Sequence, residues 1–464
     1  GAENTAVGRA ALNLNTTAGA NTALGYNCLG ANTTGANNTS VGAYALSSNT
    51  TGTRNTAVGY EAAKDSATSN DATAVGYHAM RLNDSGESTA IGAHALASAT
   101  GSYRSTVVGA YAGQNVTSGD YHVHIGAYAG QLTTTDHGTT FVGFEAGVNN
   151  TTGSGGSYNT AIGYRSGRGA SGCTGYYNTS LGMDSLYSFT TGHRNTALGQ
   201  YSLQYLTTGM YNVAVGYEAG KDLTTGQNNT LVGHQAADNI TTGDYNTVIG
   251  SDAGEALTTG TRNTLLGYYT AGRSNGGDDN VVIGYEAGDF IQGNDGSAGC
   301  KNTCLGSYAG DNITTGANNI VIGYGADANS ATGSNEITLG NDSISALRCQ
   351  VNSISALSDK RDKTDIVDLP VGIDFVNKLK PVKFKWDIRN ADADNPHQGT
   401  TRAGFIAQDF KELQEDENVT FLDLTLEGNP EKLEAKQSNL IPVLVKAIQE
   451  LSAKVEELES KLNN

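Results

Sequence analysis

The chain has 464 residues, of which 61 are glycine and five proline, and 28 basic side chains face 46 acidic ones for a net charge of −18. No basic cluster gives phosphate-backbone binding an electrostatic footing, which argues against nucleic acid as a partner. No run of eighteen apolar residues offers a membrane span. No signal-peptide pattern is visible either, but the sequence opens at Gly1 without methionine, so secretion stays open.

Twenty times a short β-branched segment ends in glycine: at Gly8, Gly25, Gly42, Gly59, Gly76, Gly92, Gly109, Gly126, Gly143, Gly163, Gly182, Gly199, Gly216, Gly233, Gly250, Gly267, Gly284, Gly306, Gly323 and Gly340. Fifteen of the nineteen spacings are 17 residues; the others are 16, 20, 19 and 22. So strict a period describes a stacked solenoid, whose units bury their faces only against their neighbours. Val, Ile or Leu precedes every glycine, and two residues further back stands a β-branched residue, so these two share one strand face. The other face carries mostly Ala, Ser or Val, with Asn four residues before the glycine in fourteen units. Both faces are low in charge, which predicts burial on both sides. Stacked Asn amides suit a hydrogen-bonded ladder. Turns such as Thr224-Thr225-Gly226 and Thr241-Thr242-Gly243 supply tight bends and positive φ.

At roughly 4.8 Å per coil the rod is about 95 Å long. A coil this thin cannot bury enough surface alone. Three coils about a common axis would, with the neutral Ala/Asn face as the expected subunit contact; a monomeric solenoid is the alternative.

Within the repeats, Tyr121-His122-Val123-His124-Ile125 sets His122 and His124 on that second face. In a trimer, six imidazoles near the axis would suffice for octahedral iron, nickel or zinc; the plainer reading is two histidines bonded to neighbours. Tyrosine recurs just after the glycine (Tyr60, Tyr77, Tyr164, Tyr217, Tyr268, Tyr285, Tyr324), either packing the turn or forming a sugar-stacking row. The longer units at 143–163, 163–182 and 284–306 carry loops such as Gly153-Ser154-Gly155-Gly156-Ser157, where binding function and tolerated insertion compete as explanations. Five scattered cysteines (Cys28, Cys173, Cys300, Cys304, Cys349) are no disulfide framework, and Cys304 holds a position filled elsewhere by alanine or valine.

Composition breaks at residue 358: residues 1–357 hold 57 of the 61 glycines and no proline or tryptophan. That shift divides the chain into a repetitive shaft (1–343), a connector (344–357), an α/β domain (358–438) and a C-terminal helix (439–464). VGIDFVNKL (371–379) reads as a short helix, VKFKW (382–386) as a strand and AGFIAQDFKEL (403–413) as a second helix. Ile441, Leu444, Ile448, Leu451, Val455, Leu458 and Leu462 step by 3 and 4 as a coiled-coil seam, with Lys454 placed to meet Glu459 of a neighbouring helix. The β-branched a and leucine d residues lean toward two strands; the needs of the shaft decide for three.

Units such as NTAVGYEA, NTALGY and NTVIGSDAG resemble the head repeats of trimeric autotransporter adhesins and the shafts of phage tail fibres. SDKRDK (358–363), LKPVKFKWD (379–387), GFIAQDF (404–410) and LIPVLVKAIQEL (440–451) closely resemble the intramolecular chaperone domain that ends phage endosialidases and many tail fibres, also classed as a serine peptidase family. The resemblance implies a domain that drives trimerisation and then cuts itself off between Leu357 and Ser358, with Ser358 and Lys363 as the catalytic pair. Asp359 or backbone amides are candidates for steadying the oxyanion region. A lysine takes a serine proton when burial disfavours its charge; taken without its surroundings, SDKRDK is a solvated charged turn.

The expectation is a mostly β homotrimer: a parallel β-solenoid or β-roll shaft, then a small α/β chaperone domain ending in a coiled-coil helix. It would sit in a virion as a tail fibre, binding a host-surface glycan or outer-surface protein and joining other tail proteins through its N-terminus. The alternatives are a cell-surface adhesin, which carries a membrane-anchor β-barrel, and a polysaccharide-degrading tailspike, which needs convergent carboxylates. The shaft acids Glu61, Glu145, Glu218 and Glu286 stand singly, and no turnover enzyme is expected.

Overall fold

Each repeat makes one turn of chain, and each turn lies on the next. The computed structural model describes residues 1–82, 84, 86–151, 157–293, 298–348, 358–388, 397–429 and 431–463. Leu357, Cys349 and the loop residues 152–156 lie outside them. Twenty three-residue strands, β1 (Thr5–Val7) through β20 (Ile337–Leu339), pair in parallel, each with the next in sequence. Register is uniform, as in Thr196↔Val213, Ala197↔Ala214 and Leu198↔Val215, so like residues sit on like residues. The other sides of the coil are bonded too, for instance Leu12 N to Cys28 O (3.0 Å) and Thr16 N to Thr33 O (3.2 Å).

The repeat glycine is required twice over. Gly216 has φ +140°, a region closed to side chains, and a Cβ there would lie 2.1 Å from the carbonyl oxygen of Gly233 in the next coil. Gly226, in the Thr-Thr-Gly turn, is needed for closeness alone: its φ is not positive, but a Cβ would lie 2.3 Å from Gly243 O. The positive φ expected of those turns falls elsewhere, largely on ordinary residues. Five residues before the repeat glycine, all twenty coils hold a left-handed residue, with φ from 42° at Tyr158 to 65° at Glu3. Each non-glycine residue so held costs about 1 kcal/mol, offset by the hydrogen bonds that the tight corner permits.

The Asn ladder forms, in a richer pattern than amide on amide. Asn229 Nδ2 donates to Gly243 O (2.8 Å), and its Oδ1 accepts from the backbone N–H of Asn246 (2.9 Å) and from Asn246 Nδ2 (3.1 Å). The side chain thus satisfies backbone groups of the next coil, and an amide buried at 1% exposure is left with no debt.

Strand faces run opposite to expectation. The middle residue of each strand from β2 (Thr22–Leu24) to β19 (Ile320–Ile322) is buried inside its own coil, with Ala, Leu and Val neighbours such as Ala214, Ala219 and Leu223. The Ala/Asn face is therefore coil interior and not subunit contact. The β-branched and Val/Ile/Leu positions point outward instead, leaving Leu24, Ile91, Ile125, Leu181, Leu266 and Leu305 exposed in one row.

The C-terminal region packs on its own core of Phe375, Phe410, Leu424, Leu440 and Val443. Helix α1 (Ile373–Val376) lies on α3 (Ile441–Leu462), and Glu450 of α3 accepts the Ile373 N–H at 2.8 Å, capping α1. Strand β21 (Val382–Lys385) pairs antiparallel with β22 (Thr401–Gly404). The second helix, α2 (Ala407–Asp416), starts later than the sequence suggested because Ala403 and Gly404 are held in the ladder opposite Lys383 and Val382. A two-residue pair, β23 (Thr425–Leu426) with β24 (Glu434–Ala435), precedes α3. All seven seam residues of α3 are exposed, from 41% at Leu444 to 85% at Leu462.

Gly216→Ala should destabilise the shaft by about 3 kcal/mol or more per chain, through strain and the clash with Gly233 O. Gly101→Ala, where a Cβ meets nothing within 4 Å, should be silent. Thermal unfolding of the two variants beside the parent checks this.

Candidate functional site

Ser358 and Lys363 flank one turn of 3₁₀ helix, Lys360–Asp362. Asp359 caps that turn: its carboxylate accepts the Arg361 N–H at 2.9 Å and the Arg361 guanidinium at 2.6–3.1 Å. The turn doubles the chain back, and Lys363 Nζ donates to Ser358 Oγ at 2.5 Å. The two residues paired by resemblance are thus in direct contact across five positions. Asp359 is held below its ordinary pKa by hydrogen bonds from the Arg361 side chain and backbone N–H. A carboxylate cannot donate to an oxyanion, so Asp359 serves by shaping the turn. The pair and the turn are exposed in the single chain.

This dyad opens a recognisable segment. Residues 358–419 match the family described as chaperone of endosialidase. No curated protein and no solved structure matches the chain. A chaperone-of-endosialidase segment behind a β-solenoid shaft fits a tail-fibre or tailspike type of protein, phage-associated and extracellular. No helix among the described residues is long and apolar enough to cross a membrane.

The histidine pair lies inside its coil, both residues fully buried. His122 Nδ1 and His124 Nε2 converge on the Thr139 hydroxyl at 2.7 and 2.8 Å, while His124 Nδ1 has no hydrogen-bond partner among the described residues. In the single chain both imidazoles therefore face the interior of their own coil, around the Thr139 hydroxyl. Among the described residues no group of three or more His, Cys, Asp or Glu is arranged to hold a metal. Burial pushes His122 down to about 4 and His124 well below 6.5.

The four acids singled out in the sequence do not converge on one another. Glu61 pairs with Lys64 (3.0 Å) and Arg81 (3.0 Å), Glu145 with Arg168 (3.2 Å) and Glu218 with Lys221 (3.1 Å), while Glu286 is hydrogen-bonded to Tyr285. Two other carboxylate groups do meet, and the sequence reading missed them. Burial and the charge of Glu255 raise Asp238 to about 6. Burial, a hydrogen bond with Asp311 and the charges of Asp311 and Asp342 raise Asp327 to about 7. Residues 16 or 17 apart look scattered until the chain is wrapped at its own period. The tyrosines that follow the repeat glycine are exposed and stack on one another between coils, as Tyr60 on Tyr77 (5.5 Å, 12°) and Tyr268 on Tyr285 (5.4 Å, 17°). The four described cysteines are buried and free, and burial pushes Cys304 up to about 12.

Because the folded His122 pKa lies below its unfolded value of 6.5, the native state binds fewer protons. Its stability contribution is complete above pH 6.5 and is lost as pH falls toward 4, worth roughly 3 kcal/mol per chain. His122→Asn combined with His124→Ala, which restores the repeat residues, should flatten that loss. Thermal unfolding midpoints from pH 7 to 4 for parent and variant provide the check.

Proposed function

We propose that the protein is a homotrimeric phage tail fibre for host attachment, and that its C-terminal domain directs trimer assembly and then releases itself between Leu357 and Ser358. The observation that carries this reading is the seam of seven exposed apolar residues on α3, immediately behind a chaperone-family segment whose first residue meets Lys363 at 2.5 Å. A seam held over three heptads calls for other helices. The outward Val/Ile/Leu row of the shaft calls for the same partners, since monomers rarely leave a contiguous apolar patch beyond a few hundred Å².

The chaperone is needed because every coil looks alike. Slipping two chains by one 17-residue unit costs little, and only a non-repetitive domain can set three chains level. In the cleavage step Lys363 takes the Ser358 hydroxyl proton as Oγ adds to the Leu357 carbonyl carbon. The C–N bond then breaks, Lys363 returns a proton to the freed Ser358 amine, and water hydrolyses the resulting ester. A lysine acts as base once its charge is desolvated; the pair is exposed in one chain, so packing of neighbouring chains supplies that step. Release removes the refolding nucleus, and the shaft's persistence becomes kinetic.

Intact mass and heated against unheated gels of parent and Ser358→Ala test the cleavage. The parent should lose residues 358–464 and run unheated as a detergent-resistant trimer, while the variant stays full length; a parent that also stays full length sinks the peptidase role. Ile448→Asp with Leu451→Asp, on the outward seam, should leave the protein monomeric and uncut, as read by sedimentation and mass.

A further inference from the structure

The long coils ending at Gly163 and Gly182 open a stretch unlike the rest of the shaft. Residues 146–217 hold nine of the 23 tyrosines and three arginines (Arg165, Arg168, Arg194) against a single acid, Asp184, in a shaft that is acidic elsewhere. Wrapped at the coil period, Tyr158, Tyr177, Arg194 and Tyr211 fall on one line, five residues before successive repeat glycines. All four are left-handed, with φ from 42° to 60°, and all are exposed. Tyr158 and Tyr177 stack at 5.5 Å and 12°. Beside them Tyr176 and His193 stack at 4.6 Å and 5°. Arg194 lies 5.5–5.7 Å from the ring centres of Tyr176, Tyr177 and Tyr211, and its Nη1 donates to Tyr211 Oη at 2.8 Å.

The same line elsewhere sets arginine against acid. Arg54 pairs with Asp71 (2.6 Å), Arg104 with Glu87 (2.8 Å) and Arg262 with Asp279 (2.6 Å), each one coil away. Arg81, Arg165, Arg168 and Arg273 are ion-paired as well. Arg194, like Arg9 over the Tyr26 ring, makes no ion pair among the described residues. Its place in the coil and its backbone conformation match those of Arg54, Arg104 and Arg262. What differs is the neighbour: tyrosine stands where the others have a carboxylate.

We propose that this line is a binding platform for an acidic polysaccharide, with a sugar carboxylate on the Arg194 guanidinium and sugar rings across Tyr177 and Tyr158. A guanidinium carries donors in the fork that matches a carboxylate, and its affinity for aromatic faces holds that fork in place. Tyrosine rings offer the flat, amphipathic surface on which sugar faces rest. An open line along a rod suits an extended polymer better than a small molecule. The proposal rests on the attachment reading and gives it a site and a ligand class.

The test uses the trimeric protein as it is purified, with polygalacturonate and alginate as acidic probes and dextran as the neutral control, by calorimetry at two salt concentrations. The parent should bind the acidic probes, more weakly at high salt, and leave dextran alone. Arg194→Gln and Tyr177→Ala should each weaken binding about tenfold or more, Arg194→Lys should recover part of it, and Arg262→Gln should bind like the parent. Unheated gels and unfolding midpoints should match throughout. Binding by neither acidic probe, or equal binding by parent and Arg194→Gln, overturns the platform. So does an Arg194→Gln loss accompanied by trimer dissociation, which would place Arg194 in a subunit contact. Adhesion of labelled fibre to bacterial cells reports the broader reading separately: cell binding that survives Arg194→Gln leaves attachment standing without this site.

Discussion

Everything in the shaft depends on how closely one glycine approaches the next. Where a side chain would begin, the carbonyl of the following coil already stands, 2.1 Å away at Gly216. That contact fixes the distance between coils, and the distance fixes which side chains can reach across. Asn229 reaches the backbone of the next coil at two points, and the outward arginines reach acids one coil away. Remove the closeness and these bonds lengthen together, because they share one repeat distance.

The same regularity creates the problem that the C-terminal domain is suited to solve. A shaft of near-identical coils has strong contacts within a chain and weak information about level between chains. The α/β region is everything the shaft is not. Its core is built from single-use residues such as Phe375, Phe410 and Leu440, and its long helix turns an apolar edge outward. In one chain that edge and the Val/Ile/Leu row of the shaft are both open to solvent, which is why a single copy looks unfinished.

Much of this was legible in the sequence, and the failures have physical causes. Period, strand positions, the glycines and the α3 seam could be read because each rests on spacing alone. The Ser358–Lys363 contact was legible only through the surrounding family motifs, since two residues five apart carry no signal of their own. The sense of the strand was missed: when neither face bears charge, alternation gives two faces but does not say which one closes on itself. The Asn residues carried a hint, because a ladder of amides at the coil spacing can bond the next coil's backbone from inside, as Asn229 does. His122 and His124 followed that face inward. The α2 start was misplaced because a helical pattern can run into residues that a neighbouring strand has already claimed. The acid groups around Asp238 and Asp327 were invisible for a different reason, being neighbours only after the chain is wound.

The left-handed corner five residues before each glycine has a consequence for how such a shaft changes over time. Twenty coils place Glu, Ala, Asn, Arg, Asp, Tyr, Lys and Gly there, and none places a β-branched residue. The corner constrains only the backbone, so most side chains can be exchanged without disturbing the winding. Each exchange is felt mainly by the coil on either side. The shaft therefore keeps an editable line, along which charge and aromatic character can drift from coil to coil while the fold stays the same.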